Sequence, residues 1–383
     1  MSLSVTTRHN LRLIKLESIV TFYVLGAVET AYLQAKGYTL GQVGTVYVIQ
    51  VAALMLTNVP TGYLADKTSR RMCNLIGDAL AATGIIGLAL ADNLIVIVLT
   101  NVVTGLGFSL SGGADTALLK AVCDHLKEPL AKHLALTQSA RTALMVIGGV
   151  IAGFVTVRQP TVGILLCSVP FLLGTLVSYF IKEVKAPAEP ATKAMKDALR
   201  YCWTIKKIRW TIVTGSILGS IAGIIQDLAV PLAQAGELPP LLVSSAWSCY
   251  FLAWSLGAWL YRKAADAWNK WFLLMLPLSV VAAALGTVAI AINEWTILAF
   301  LVIGFAHGWV APQLSVIATE AAPSELRATI ISVYMTVTQL VFIATTLIVF
   351  NVATANIGLA IVIVFLAFTP ALLFWSRKLT RIV

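Results

Sequence analysis

Charge is scarce in this sequence. Asp, Glu, Lys and Arg make up 11% of its 383 residues, against about 25% in soluble domains. With 59% hydrophobic residues and a mean hydropathy of +0.89, the chain has too little polar surface for a water-soluble fold, which excludes that class. Cysteine is also rare. The five present (Cys73, Cys123, Cys167, Cys202, Cys249) form no CxxC and no Cys/His cluster, so neither a disulfide framework nor a metal site is signalled and all five read as packing residues. There is no HExxH, no GxSxG and no phosphate-cradling glycine loop, which argues against an intramembrane enzyme and against ATP-driven pumping by this chain; no cofactor is implied. Long polar stretches are absent but for one, 182–208, which carries Pro187, Pro190 and mixed charges.

What is present is a series of apolar runs. A helix needs about 20 residues to cross the hydrocarbon layer. Segments of that kind fall at 13–33, 41–64, 73–91, 94–118, 135–157, 161–181, 209–233, 241–261, 271–292, 295–317, 328–351 and 356–376. These are twelve, six on each side of the polar stretch, so the expected fold is an all-α membrane protein. It has a bundle over 1–182, a linker over 183–208 and a second bundle over 209–383. The first ten residues are polar and the run after them lacks a small-residue cleavage site, so the first helix reads as a retained signal-anchor.

Lysine and arginine set the orientation, because positive loops stay cytoplasmic. With the amino terminus inside, only Lys36 and Arg158 of the 27 basic residues fall on the outer side, so both termini are expected in the cytoplasm. The net charge of +10 follows from this bias and from contact with anionic membrane lipids, and is no sign of nucleic-acid binding. A faint repeat supports two related halves. Leu33-Gln34-Ala35-Lys36-Gly37 closes the first helix and Leu232-Ala233-Gln234-Ala235-Gly236 closes the seventh, about half a chain later.

Between the second and third segments the chain reads Pro60-Thr61-Gly62-Tyr63-Leu64-Ala65-Asp66-Lys67-Thr68-Ser69-Arg70-Arg71. This resembles the signature loop of the major facilitator superfamily: a glycine, three residues, an aspartate, a basic residue, one residue, a glycine and two basic residues. Ser69 stands where the pattern has its second glycine. The resemblance implies twelve helices in two pseudo-symmetric six-helix bundles and secondary transport by alternating access. Gly62 is expected to let two helices approach closely. The resemblance places Asp66 on the amino end of the eleventh helix, at Arg327-Ala328-Thr329-Ile330-Ile331-Ser332, as a conformational lock with Lys67 beside it. It also pairs Asp124, at the inner end of the fourth helix, with Arg70 or Arg71. Taken singly, loop charges such as these are more often plain helix caps. The counterpart in the second half, Gly257-Ala258-Trp259-Leu260-Tyr261-Arg262-Lys263, lacks the acid.

An ionisable side chain within a span costs about 2.5–3.5 kcal/mol even on permissive insertion scales, so each needs a partner or a task. Six stand out: Glu29, Asp78, Asp115, Arg141, Asp227 and His307. At 1.5 Å per residue, Asp115 and Arg141 lie at roughly the same depth, about 10 Å from the inner face, and are expected to form an ion pair, structural or in proton and substrate handling. Asp78 follows Arg70 and Arg71 by a turn or two and is expected to bridge to them. Glu29 and Asp227 occupy nearly equivalent places in the two halves, on helices that in the superfamily line the central cavity. A carboxylate shielded from water there can load a proton on one side and release it on the other, or attract a cationic solute; a simple cap is the alternative. His307 sits in Gly304-Phe305-Ala306-His307-Gly308-Trp309 ahead of Pro312; an imidazole suits proton transfer, though a packing role is the commoner one.

All ten tryptophans lie at or after Trp203. Trp210, Trp268, Trp271, Trp295 and Trp375 suit the interfacial belt. Trp247, Tyr250 and Trp254 are spaced three then four apart and share one helix face, as an aromatic wall for a planar or cationic ligand or as a lipid-facing stripe. These features lead to proton-coupled export of a small amphipathic compound, such as a drug, metabolite or siderophore, by a monomer in the bacterial inner membrane. The antiporter pattern expected on the fifth helix is only partly present, as Gly148-Gly149 and Gly153 without proline, so proton-driven nutrient uptake is the rival. A lipid scramblase is the alternative of another class.

Overall fold

A computed structural model describes residues 3–112, 114–183, 200–264, 269–321 and 327–380. Every described element is helical. In chain order these are α1 (Leu3–Val20), a 3-10 turn (Leu25–Ala27), α2 (Glu29–Ala35), α3 (Leu40–Lys67), α4 (Arg70–Leu90), α5 (Leu94–Ser111), α6 (Ala114–Leu126), α7 (Leu130–Arg158) and α8 (Pro160–Phe180). After the polar stretch come α9 (Lys206–Asp227), α10 (Ala229–Ala235), α11 (Pro240–Ala264), α12 (Lys270–Ile290), α13 (Thr296–Ala321), α14 (Arg327–Ala355) and α15 (Ile357–Thr380). Among the described residues 11 helices are long and apolar enough to cross a membrane. The first expected span is not among them, because it is divided into α1, the 3-10 turn and α2, and α1 carries Arg8, Arg12, Lys15 and Glu17. The chain is an integral, multi-pass membrane protein.

Local sequence explains where the helices start and stop. Ser69 caps α4, its hydroxyl accepting from the Met72 amide, and Asn93 caps α5 through the Val96 amide at 3.0 Å. Pro160 opens α8 at a position that needs no amide donor. Gly37 ends the turn after α2 with φ of 88°, a left-handed conformation that glycine adopts without strain. Within the expected linker, residues 200–204 are helical and α9 begins at Lys206, since Lys and Arg prolong a helix beyond the hydrocarbon edge as readily as apolar residues do.

The chain divides into two compact units, Met1–Ala35 with Val46–Glu189, and Lys36–Thr45 with Pro190–Val383. Residues 36–45 therefore group with the second unit; there the Gly41 amide donates to Thr354 Oγ1 at 2.7 Å. In the first unit α4 packs along α5 and α8. Gly77 and Gly107 permit this: a Cβ at either would stand 2.5–2.8 Å from backbone atoms of the facing helix. In the second unit α11 packs along α13 and α12 along α15.

The two halves repeat one another in detail. Both expected cavity helices are interrupted and continue as seven-residue helices, α2 and α10. A Cβ at Gly105 would meet the Gln50 carbonyl at 2.6 Å, and one at Gly304 would meet the Tyr250 carbonyl at 2.5 Å, the same close approach half a chain apart.

Candidate functional site

In the second unit, glycine sets the geometry. Gly257 of α11 faces the Phe305 carbonyl of α13, Gly304 faces the Tyr250 carbonyl and Gly308 faces the Trp254 carbonyl, each too close for any side chain. The two backbones thus run in contact, and this brings together two residues singled out separately from the sequence. The Tyr250 hydroxyl lies 2.7 Å from His307 Nδ1. Gln226, near the end of α9, supplies a third group, its side chain hydrogen-bonding to the same hydroxyl. Asp227 follows it as the last residue of α9, half-buried beside the Leu228 break.

Trp247 and Tyr250 are 2% and 0% exposed, so the lipid-facing alternative does not hold for them; Trp254 is half-buried. Trp247 lies 4.3 Å from the Phe251 ring and Phe251 lies 6.5 Å from Trp254, which continues the aromatic surface along α11. α13 runs on as a helix through Pro312. Phe251, Trp254, His307 and Gln226 keep part of their surface, so this end of the wall can stack a flat group and hydrogen-bond to its rim through an imidazole and an amide, with Trp247 and Tyr250 packed behind.

In the first unit the expected Asp115–Arg141 ion pair is present at 3.2 Å. Arg141 Nε also donates to the Ser18 carbonyl at 2.6 Å, tying α7 to α1. Asp78 does not bridge to Arg70 or Arg71. It is 1% exposed and meets Glu17 of α1, because the side of α4 that carries it turns into the unit, away from the loop. Glu17 is not among the six charges that stand out in the sequence, although it too is an acid within the first apolar segment, between 13 and 33. Glu29, at the start of α2, is fully buried.

The signature loop departs from expectation at two points. Among the described residues nothing lies within 4 Å of a Cβ placed at Gly62, which is exposed, so the close helix approach is made by Gly77, Gly105 and Gly107 instead. Arg71 is not the partner of Asp124: its Nε donates to the Ser178 carbonyl at 3.2 Å and its guanidinium also takes the Tyr179 carbonyl, both at the end of α8, where unpaired carbonyls attract a cation. The acid at this corner is Glu183, which accepts from the Arg70 and Arg71 amides at 3.2 and 3.0 Å and from the Ser69 hydroxyl. Backbone amides at a helix start favour an anion, and Glu183 follows α8 directly, whereas Asp124 is exposed and makes no ion pair among the described residues. Lys67 Nζ rests 4.6 Å over the Tyr63 ring. The side chains of Asp66 and of 327–329 lie outside the described residues, and so does the docking expected between them.

Helices of this length, with polar groups buried between them, define a polytopic membrane protein. The chain belongs to the Major Facilitator Superfamily, whose model matches residues 16–346. It is a secondary transporter, and not an enzyme. Curated protein sequences gave no match. Solved structures share the fold at low identity. A mutant form of the nucleoside transporter NupG is 13% identical with a TM-score of 0.82, over 97% of this chain and 99% of that one. A D-xylose-proton symporter is 13% identical with a TM-score of 0.76, over 95% and 96%. A bacterial homologue of the human lysosomal transporter Spinster is 14% identical with a TM-score of 0.73, over 100% and 94%.

Proposed function

We propose that the chain couples protons to the movement of a small organic solute that has a flat, hydrogen-bonding group. The observation that carries this reading is the part-buried Tyr250–His307 hydrogen bond at 2.7 Å beside Trp247, which sets two polar groups at the edge of an aromatic surface inside the bundle. Coupling falls to membrane-embedded acids, for which Glu29 and Asp227 are the symmetric candidates, with Asp66 and its loop governing the exchange between states. In this reading the protein works as a monomer in the bacterial inner membrane; the lysine and arginine distribution supports placing both termini in the cytoplasm.

Export of an amphipathic compound in exchange for protons is the first reading. Symport is the second, and a specific likeness favours it: one of the similar structures is a D-xylose-proton symporter. Proteoliposomes with an imposed pH gradient separate the two, with uridine, D-xylose and ethidium as probe solutes. In antiport a solute accumulates in the acid lumen; in symport it accumulates in the alkaline lumen. Asp227→Asn and Glu29→Gln are tested alongside, and at least one is expected to abolish gradient-driven accumulation while still inserting. If both variants accumulate solute as the native chain does, these two acids are not the coupling groups. Asp66→Asn is expected to insert normally and turn over more slowly.

A further inference from the structure

The first unit buries an acid pair that the transport reading has not used. Glu17 on α1 and Asp78 on α4 are each 1% exposed, and Thr21 links their positions: its hydroxyl reaches Glu17 Oε1 at 3.4 Å, and its methyl lies with Asp78 Oδ2 against Gly174, which sets the two carboxyls facing one another. Around them the hydrogen-bond balance fails. Glu17 Oε2, Asp78 Oδ2 and Asn74 Oδ1 are buried acceptors with no donor among the described residues. The donors nearby are too few for these atoms: the Asn74 amide is shared between Ser178 Oγ at 3.2 Å and Glu17, Ser111 hydrogen-bonds to Asp78, and the Thr21 hydroxyl goes chiefly to the Glu17 carbonyl at 2.8 Å, with Glu17 Oε1 a distant second at 3.4 Å. The site is also sealed. A Cβ at Gly174 of α8 would stand 2.7 Å from Asp78 Oδ2, so the backbone of that helix closes directly over the carboxyl.

The charged groups facing the pair come from two further helices, Asp115 on α6 and Arg141 on α7; α8 contributes Gly174 and Ser178 and α5 contributes Ser111, none of them ionisable. Arg141 already answers Asp115 at 3.2 Å, so its charge is balanced before Glu17 and Asp78 are counted. Two ionised carboxylates in contact offer each other only lone pairs, an arrangement that leaving water makes much worse. A single proton between them turns the repulsion into a short, charge-assisted hydrogen bond. A metal ion would serve less well, since among the described residues no group of three or more His, Cys, Asp or Glu is arranged to hold one.

We infer that Glu17 and Asp78 share one proton and form a proton-loading site of this transporter, closed by α8 and kept apart from bulk charge by the Asp115–Arg141 pair. The inference rests on the proton-coupled reading for its purpose, though not for its chemistry. The proton arrives from water when α1 and α8 part, resides between the two carboxyls, and leaves by the same oxygens; no bond other than O–H is made or broken.

The test is infrared spectroscopy of the purified full-length chain in detergent at neutral pH, in water and in deuterium oxide, following the C=O stretch of protonated carboxyl groups. Glu17→Gln and Asp78→Asn are each expected to lose the same component of that band. In either variant an amide donates to the remaining carboxylate, so no proton is required. The double variant, which keeps a hydrogen-bonded amide pair and hence its packing, is expected to lose nothing further. If both single variants retain the full native band, the shared proton is refuted; should one of them not fold, the other and the double variant decide. Proton-driven solute accumulation is measured on the same proteins. A band lost in the variants of a chain that carries no solute with protons leaves the pair standing and sinks the coupling. An unaltered band in a proton-driven transporter does the reverse.

Discussion

Arg141 on α7 holds two helices at once: its guanidinium meets Asp115 of α6 at 3.2 Å and its Nε meets the Ser18 carbonyl of α1 at 2.6 Å. This one side chain therefore fixes how three helices of the first unit stand against each other at their polar end. Both members of the ion pair are partly shielded, with side-chain exposures of 24% and 14%.

Asp115→Asn is expected to destabilise the protein by about 1–3 kcal/mol, less than the loss at a fully buried pair because water still reaches both groups. Arg141→Lys is expected to do nearly as much harm, since an ammonium cannot serve Asp115 and Ser18 in one rigid plane. Thermal unfolding in detergent reads both, and a lysine variant of native stability would contradict the two-pronged role.

The Tyr250–His307 hydrogen bond lends itself to a double-mutant cycle. Tyr250→Phe leaves the half-buried imidazole nitrogen short of a partner and is expected to cost about 1–3 kcal/mol. Adding His307→Leu is expected to cost less than the sum of the two single changes, because the second removes the group that the first orphaned. Denaturant-induced unfolding measures the coupling; strict additivity would show that the two side chains do not act together.

Glycine at 308 is required by the Trp254 carbonyl against it, whereas glycine at 62 faces open space among the described residues. Gly308→Ala must push α11 from α13 and is expected to cost about 1–3 kcal/mol. Gly62→Ala is expected to be neutral or to add up to about 1 kcal/mol of stability through helix propensity. The comparison of their unfolding midpoints checks both, and equal effects would argue against the close contact of α11 and α13.

Glu183 caps the start of α4, and Asp124 does not. Glu183→Ala is expected to lower stability by about 0.5–2 kcal/mol, an effect that salt weakens, while Asp124→Asn leaves it unchanged. Unfolding at low and high ionic strength tells them apart; a larger loss at Asp124 would restore the pairing expected from the loop pattern.

The signature loop illustrates how far residue order can be read. Its pattern, together with the apolar runs, was enough to indicate the family, because both are one-dimensional properties: a helix must be about 20 apolar residues long to cross lipid, and a positive loop stays on its side. The Asp115–Arg141 pair was legible for the same reason, since depth along a helix follows from counting residues. The partner of Asp78 is not legible in this way, because depth does not say which way a side chain faces, and Glu17 is hidden in what reads as a single apolar span. The structure divides that span into three pieces.

The sequence by itself determined a membrane-embedded, all-helical transporter of repeated halves, since hydrophobic length and charge placement act along the chain and need no partner to be recognised. Only the tertiary structure decided who meets whom: Tyr250 with His307, Glu17 with Asp78, Arg71 with the end of α8. Those meetings depend on helix rotation and on the few positions, such as Gly174, Gly304 and Gly308, where two backbones come close enough to choose the neighbours. That choice is set by packing across helices that lie far apart in the sequence.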